Sequence, residues 1–257
     1  MHLLSQNNYF KVIPLFESFD YNKGVIFSVI EGNSVGKIYV DNLEAPKSAF
    51  LYPLNSFYYI AGDYDNQLFN SELYNLTTNF FKREGDHNEI IIFSCNEEWR
   101  NTLDLLFEKN NIKRIKRTIF NFNKFNFEKL NIVENESIVD FDENIIKNIG
   151  IANSWISIEK FFNNGIGKAL LFNNEIISAC YSIYYGNNEM EIDVFTHEKY
   201  QKKGFAKLVA YKFISKCLEN NFIPAWSCWS YKESSKKLAF KLGFEEIADI
   251  DAHLLIL

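Results

Sequence analysis

Residues 197–213 read HEKYQKKGFAKLVAYKF, a glycine set between lysines and an apolar-periodic run. The residues just before it, EMEIDVFT at 189–196, alternate as a strand does, so the whole stretch is a strand, a short loop and a helix start. The first turn of a helix leaves about four backbone N–H groups without intrahelical partners, and they carry the positive end of the helix dipole. Gly204 has no side chain, so an anion can come close to the backbone there, and the residue can adopt a φ closed to others. Phe205 and the small Ala206 open the helix, Lys202 and Lys203 add charge, and Gln201 can hydrogen-bond at the start of the loop. Such a loop can cradle a pyrophosphate. It is neither the G-x-x-x-x-G-K-[ST] loop nor the G-x-G-x-x-G turn. The local pattern alone fits an ordinary helix start with solvated lysines as well.

Around this stretch the second half of the chain has a clear rhythm. DENIIKNIG (142–150) and WISIEKFFNNGIG (155–167) have helical spacing, and the segment from Lys168 to Thr196 reads as three strands. Their turns fall at Asn173-Asn174 and at Gly186-Asn187-Asn188, residues that tolerate positive φ. Beyond the loop come a helix to about Asn220, the strand FIPAWSCW (222–229), the helix KESSKKLAFKL (232–242) and a last strand after Gly243.

The first half is aromatic and rich in strand-like runs. KGVIFSVIEGNSVGKIYVDN (23–42) reads as two strands turning at Gly32-Asn33, and SAFLYPLNSFYYIAGDYDN (48–66) continues the pattern with Pro53 at an edge or turn. Leu68, Phe69, Leu73, Leu76, Phe80 and Phe81 have helical spacing; NEIIIFSC (88–95) is a short buried strand, and residues 96–111 form a helix with an acidic first turn. IKRIKRTIFNFNKFNFEKL (112–130) is a strand with a solvated basic face, followed by a connection between the halves. No Pro/Gly/Ser-rich linker interrupts it, so the halves are expected to pack together.

Composition narrows the function. A formal net charge of −6 argues against nucleic acid or an anionic membrane as the main partner, although Lys113, Arg114, Lys116 and Arg117 leave a nucleic-acid ribbon as a distant rival. The apolar runs fall short of the roughly 20 residues needed to span a bilayer, and the N-terminus lacks a basic, apolar leader. Cys95, Cys180, Cys217 and Cys228 have no C-x-x-C spacing, which predicts reduced thiols in a cytoplasmic protein. His2, His87, His197 and His253 make no metal-ligand spacing, so no metal site is expected, and His197 reads as a turn residue.

The strand EMEIDVFT, the loop QKKGFA and the following helix resemble the acyl-CoA-binding motif of the GCN5-related N-acetyltransferase (GNAT) superfamily, whose loop reads Q/R-x-x-G-x-G/A. SSKKLAFKLGFEE (234–246) is similar to that superfamily's closing helix and its Gly-Phe ending, here Gly243-Phe244. The superfamily match covers about residues 150–250. PAWSCW (224–229) and GKIYVDNLEAPKSAF (36–50) further resemble a long bacterial branch that includes zwittermicin-resistance-type enzymes.

The resemblance implies an α/β (α+β) fold: a GNAT-like mixed, mostly antiparallel central sheet flanked by helices, preceded by a smaller strand-rich α/β domain. The expected division is 1–130, covering the acceptor, and 131–257, binding acyl-CoA. It implies acetyl-CoA as cosubstrate and a small-molecule primary amine as acceptor, in a monomer or homodimer. Val194, Phe195 and Thr196 would lie along the pantetheine arm, Gln201 to Ala206 would hold the pyrophosphate, and Ser235 would touch the cofactor. The strand IPAWSCW would splay from its neighbour and open a wedge where thioester meets amine.

Attack on a thioester requires a deprotonated amine, hence a base. Glu189, Glu191 and Asp193 alternate along one strand and so share a face; Glu191 is the base candidate, and a solvated carboxylate face is the competing reading. The superfamily's usual acid is a tyrosine four residues before the closing glycine, where this chain has Ala239; Lys232 likewise stands where asparagine is common. The acid is therefore unassigned, Tyr231 and Cys228 reading as structural. A non-catalytic acyl-CoA-binding sensor on the same fold is the alternative that this gap leaves.

Overall fold

The strand expected after Gly243 has no place in its own half of the sheet: it crosses into the other half. This is seen in a computed structural model that describes residues 1–54, 57–80, 89–132, 137–151 and 154–256. Among the described residues twelve strands form one sheet: β1 (His2–Leu3), β2 (Gly36–Val40), β3 (Ser48–Pro53), β4 (Tyr58–Gly62), β5 (Glu89–Ser94), β6 (Asn111–Phe122), β7 (Ile138–Asp140), β8 (Gly167–Phe172), β9 (Glu175–Gly186), β10 (Glu189–Thr196), β11 (Ile223–Trp229) and β12 (Phe244–Ile256). The helices are α1 (Ile13–Phe16), α2 (Lys23–Ile30), α3 (Gln67–Asn75), α4 (Glu97–Leu106), α5 (Lys124–Glu128), α6 (Glu143–Ile149), α7 (Ile158–Asn164), α8 (Phe205–Glu219) and α9 (Glu233–Phe240).

The spatial order is β1-β2-β3-β4-β5-β12-β6-β11-β10-β9-β8-β7, a palindrome in which each strand of the first half mirrors the strand six later. The connections repeat too. β2-β3-β4 and β8-β9-β10 are antiparallel meanders, and in each half a helix then leads to a strand parallel to the last of the three: β5 on β4, β11 on β10. The final strands are exchanged, so that β12 pairs with β5 and β6 pairs with β11, and the two pair antiparallel with each other at the centre. The chain is a duplicated unit closed by a strand exchange.

Sequence and structure agree over most elements. The turns at Asn173-Asn174 and Asn187-Asn188 have all four residues at positive φ, the geometry of a tight hairpin, and Pro53 ends its strand. Asn96 caps α4 by accepting from Trp99 N–H, with Glu97 and Glu98 in the first turn. Phe81 lies outside the described residues.

One expectation is overturned. Residues 23–30 form the helix α2, not the first strand of a hairpin. Gly24 to Val29 are all buried, so the segment has no exposed face and carries neither the helical nor the strand period. Gly32, at φ +71°, is the left-handed exit of this helix, with its N–H bonded to the Val29 carbonyl. Only GKIYV keeps its reading as a strand.

Helix α2 belongs to the first half in sequence and to the second in space. Gly24 N–H donates to Glu189 Oε2 at 3.2 Å, and Asn33 Nδ2 donates to the Tyr185 carbonyl at 3.1 Å. A Cβ on Gly186, at the end of β9, would overlap the backbone of Phe27 and Ser28. Gly186→Ala is therefore expected to lose about 1–3 kcal/mol by overpacking, a fall of several degrees in Tm. An unchanged Tm would mean that α2 does not press on β9.

Candidate active site

Strands β10 and β11 run parallel for three positions, from Glu189 opposite Ile223 to Glu191 opposite Ala225, and pair no further. The two strands then diverge, and a cavity of about 300 Å³ fills the wedge. Glu191, Val194, Ser227, Arg117, Tyr184 and Ser235 line it, and Asn22, Val25, Phe57 and Tyr59 bring in the first half.

The register of β10 against β9 jumps between Glu191, opposite Tyr184, and Ile192, opposite Ser182. Ile183 is the extra residue, so the bulge lies in β9 and the alternation of β10 is unbroken. Met190, Ile192 and Val194 accordingly pack with the apolar cluster of α8, while the three carboxylates share the opposite face, as their spacing predicts. Their partners differ. Glu189 accepts from Gly24 N–H in the first turn of α2, and Asp193 accepts from the Tyr181 hydroxyl at 2.7 Å. Glu191 is 6% exposed and accepts from Ser227 Oγ at 2.6 Å.

Ser227 is held in turn. Arg117 Nε donates to its Oγ at 3.1 Å and Arg117 Nη2 to its carbonyl at 3.2 Å. The guanidinium carbon sits 4.9 Å from the Phe57 ring centre and 5.2 Å from that of Trp229, so aromatic rings steady the cation. Burial pushes the Glu191 carboxyl up from 4.5 to about 7; Arg117 and the Ser227 hydrogen bond pull it down, and Glu189 and Asp193 add a smaller upward push. A carboxyl poised there exchanges protons near neutrality.

The glycine loop lies at the entrance to α8. Gly204 has φ +86° and Lys202 φ +62°, and a Cβ on Gly204 would meet nothing within 4 Å. The glycine is thus demanded by the backbone turn, and the space beside it is open. Lys202 and Lys203 are exposed at the turn, with Phe205 and Ala206 half-buried behind it. Gln201 Nε2 reaches back to the Thr196 carbonyl at 3.3 Å, fixing the loop to the end of β10. Phe195 is exposed, and Thr196 is tied by its hydroxyl to Ser178. Ser235 accepts from Trp226 Nε1 at 3.1 Å at the cavity edge.

Several residues show their role only here. Ala239 is fully buried in the core beside α8, so the position carries no proton donor. Tyr231 is exposed. His197 precedes a short 3-10 turn, its N–H on the Ile177 carbonyl. Burial raises the thiols of Cys180, Cys217 and Cys228, away from the thiolate that an acyl-cysteine needs. Among the described residues no group of three or more His, Cys, Asp or Glu side chains could hold a metal ion, and no helix is long and apolar enough to cross a membrane. Arg117, Ser227, Tyr59 and Asn22 were missed by sequence reasoning. Arg117 and Ser227 stand on β6 and β11, and nothing local in the sequence revealed that these strands pair.

A family model for GNAT acetyltransferases matches residues 13–252, nearly the whole chain. The chain belongs to the GNAT acetyltransferase family. It is 29% identical over 254 residues to "Uncharacterized N-acetyltransferase YdfB" of Bacillus subtilis (strain 168), covering 96% of this chain and 95% of that one. A solved GCN5-related N-acetyltransferase-like protein from Streptococcus suis 89/1591 superposes with a TM-score of 0.71 at 24% identity, over 97% of this chain and 98% of the other. A tandem GNAT protein from the clavulanic acid biosynthesis pathway superposes with a TM-score of 0.64 at 6% identity, over 99% and 97%. These structures share the fold. The protein is an N-acetyltransferase.

The raised carboxyl of this GNAT protein makes a stability prediction. Because Glu191 binds its proton more tightly folded than unfolded, the native state holds more protons between about pH 4.5 and 7, and stability falls as pH rises through that window. Glu191→Gln cannot ionise, so its Tm is expected to exceed wild type by a few degrees at pH 8 and to match it near pH 4. A lower Tm at pH 8 would show that Arg117 fully compensates the buried charge.

Proposed function

We propose that this enzyme transfers the acetyl group of acetyl-CoA to a primary amine of a small molecule by direct attack in a ternary complex. The observation that carries the reading is the wedge between β10 and β11, with a carboxyl poised near pH 7 on its wall and the glycine loop following β10, tied to that strand's end by Gln201. Acetyl-CoA supplies an acetyl activated as a thioester.

The residues of this chain do the rest. Backbone N–H groups of Lys202 to Ala206, at the N-terminus of the 15-residue helix α8, hold the pyrophosphate, with Lys202 and Lys203 adding charge; the Gln201 N–H, expected to join them, is bonded to the Glu198 carbonyl instead. Beyond Glu191 the free edge of β10, through Val194, Phe195 and Thr196, offers backbone groups to the pantetheine arm, and Ser235 touches it from α9. Glu191 takes the proton of the incoming ammonium, the freed nitrogen pair forms the amide bond as the C–S bond breaks, and the coenzyme leaves as a thiolate that takes up the second proton shed by the nitrogen. Glu191 is the base because it lines the cavity with its carboxyl raised to about 7, whereas Glu189 lies off that lining, bonded to Gly24 N–H, and Asp193 is bonded to the Tyr181 hydroxyl.

Residues 131–257 form the catalytic, acetyl-CoA-binding unit, and 1–130 supply the acceptor side through Asn22, Val25, Phe57 and Tyr59. The matching loop of the first half, between β4 and α3, argues that one unit alone is active. It carries Asp63 and Asp65, and Asn66 caps the helix by accepting from Phe69 N–H, so an anion meets repulsion and an occupied helix end.

The test is thiol release from acetyl-CoA with a panel of amines, wild type beside Gly204→Glu and Glu191→Gln. Wild type should release thiol only with an amine. Gly204→Glu, still folded, should lose the activity, and Glu191→Gln should fall about 10²–10⁴-fold and lose the rise of kcat with pH near 7. Acetyl-CoA that neither reacts nor raises the Tm of wild type would overturn the reading.

A further inference from the structure

Two carboxylates line the cavity, Glu191 and Asp193, and Arg117 is the cation among the lining residues. Arg117 serves Glu191. Its charge pulls that carboxyl down, and its Nε and Nη2 are spent on Ser227, which in turn donates to Glu191. Asp193 makes no ion pair with any described residue. Its Oδ2 accepts from the Tyr181 hydroxyl at 2.7 Å. Burial, and then the charge of Asp193, hold the Tyr181 phenol above its usual range, so Tyr181 donates a hydrogen bond and stays neutral. Asp193 is half-buried, and its Oδ1 is not sealed: it keeps accessible surface while bonding to none of the described residues. Drawing a carboxylate partly out of water costs free energy that a cation returns, and the cavity is where that cation can come from.

We propose that Asp193 selects the acceptor: the substrate is a diamine, whose second ammonium seats on Asp193 Oδ1 while the first gives its proton to Glu191. The inference rests on the acetyl-transfer reading of this cavity.

The spacing fits such a ligand. Glu191 and Asp193 are two residues apart on an unbroken stretch of β10, so they lie on one face about 7 Å apart. A diamine with about four or five carbons between its nitrogens spans that distance. Val25, Phe57 and Ile183 line the same cavity and suit the carbon chain between the two charges. A monoamine of equal length would leave Asp193 without a cation, and an amino acid would set a second carboxylate against it.

The test compares kcat/KM for matched amines: putrescine and cadaverine against butylamine, pentylamine and γ-aminobutyrate. Wild type is expected to favour the diamines about 10- to 100-fold over the monoamines, the range of one charged hydrogen bond, with γ-aminobutyrate lowest. Asp193→Asn keeps the shape and can still accept from Tyr181, and it should erase the preference by raising KM for the diamines. Asp193→Ser, a smaller side chain without charge, should do the same, and Tm verifies that both variants fold. Equal or better turnover of monoamines by wild type overturns this inference and leaves the acetyl-transfer reading standing. A preference that survives in Asp193→Asn overturns it too, since it would come from the basicity of the amines themselves. Silence with every amine, despite a rise in Tm with acetyl-CoA, sinks the small-amine reading and this inference with it.

Discussion

The antiparallel pairing of β6 with β12 holds the molecule together. Twelve matched positions run from Phe244 opposite Phe122 to Ile256 opposite Asn111, with one irregularity between Glu246 and Ala248. Thr118 Oγ1 donates to Asp249 Oδ1 across the pair at 2.5 Å. Each strand is the last of its own half and lies beside the other half, so neither half completes its sheet alone. The exchange also removes two edges that would otherwise expose unpaired backbone.

The site is a consequence of that seam. Because β6 lies against β11, Arg117 reaches Ser227 and Ser227 reaches Glu191, three residues drawn from three strands. Without β6 the Glu191 carboxyl would lose its nearest cation and sit buried among carboxylates. Phe57, from the loop before β4, closes over the guanidinium together with Trp229. The first half thus tunes the Glu191 carboxyl as well as walling the cavity. Its own loop at the corresponding place, between β4 and α3, carries Asp63 and Asp65 and is capped by Asn66, so the two copies of the scaffold differ in charge there.

The elements of the second half were legible because their boundaries are punctuated locally. Asn pairs at positive φ mark the hairpins, Gly204 marks the loop, and alternation in EMEIDVFT places three carboxylates on one face. The helix α2 was misread because packing on every side erased its period: buried by β9 beneath and by the N-terminal cluster above, it shows no polar face. Asn22 and Tyr59 were silent for a different reason: their place in the cavity lining is set by chain segments far away in sequence.

By itself, then, the sequence determined the strand–loop–helix that can hold a pyrophosphate, the shared face of Glu189, Glu191 and Asp193, and the family resemblance, since all three are written in spacings of a few residues. The tertiary structure alone decided that the chain is a duplicated unit with exchanged strands, that Glu191 is the carboxylate buried against Ser227 in the wedge, and that its proton is held to about pH 7. The reason is physical: backbone turns and side-chain alternation are local, whereas desolvation and the charge of Arg117 act through space, on whichever strands the fold has brought together.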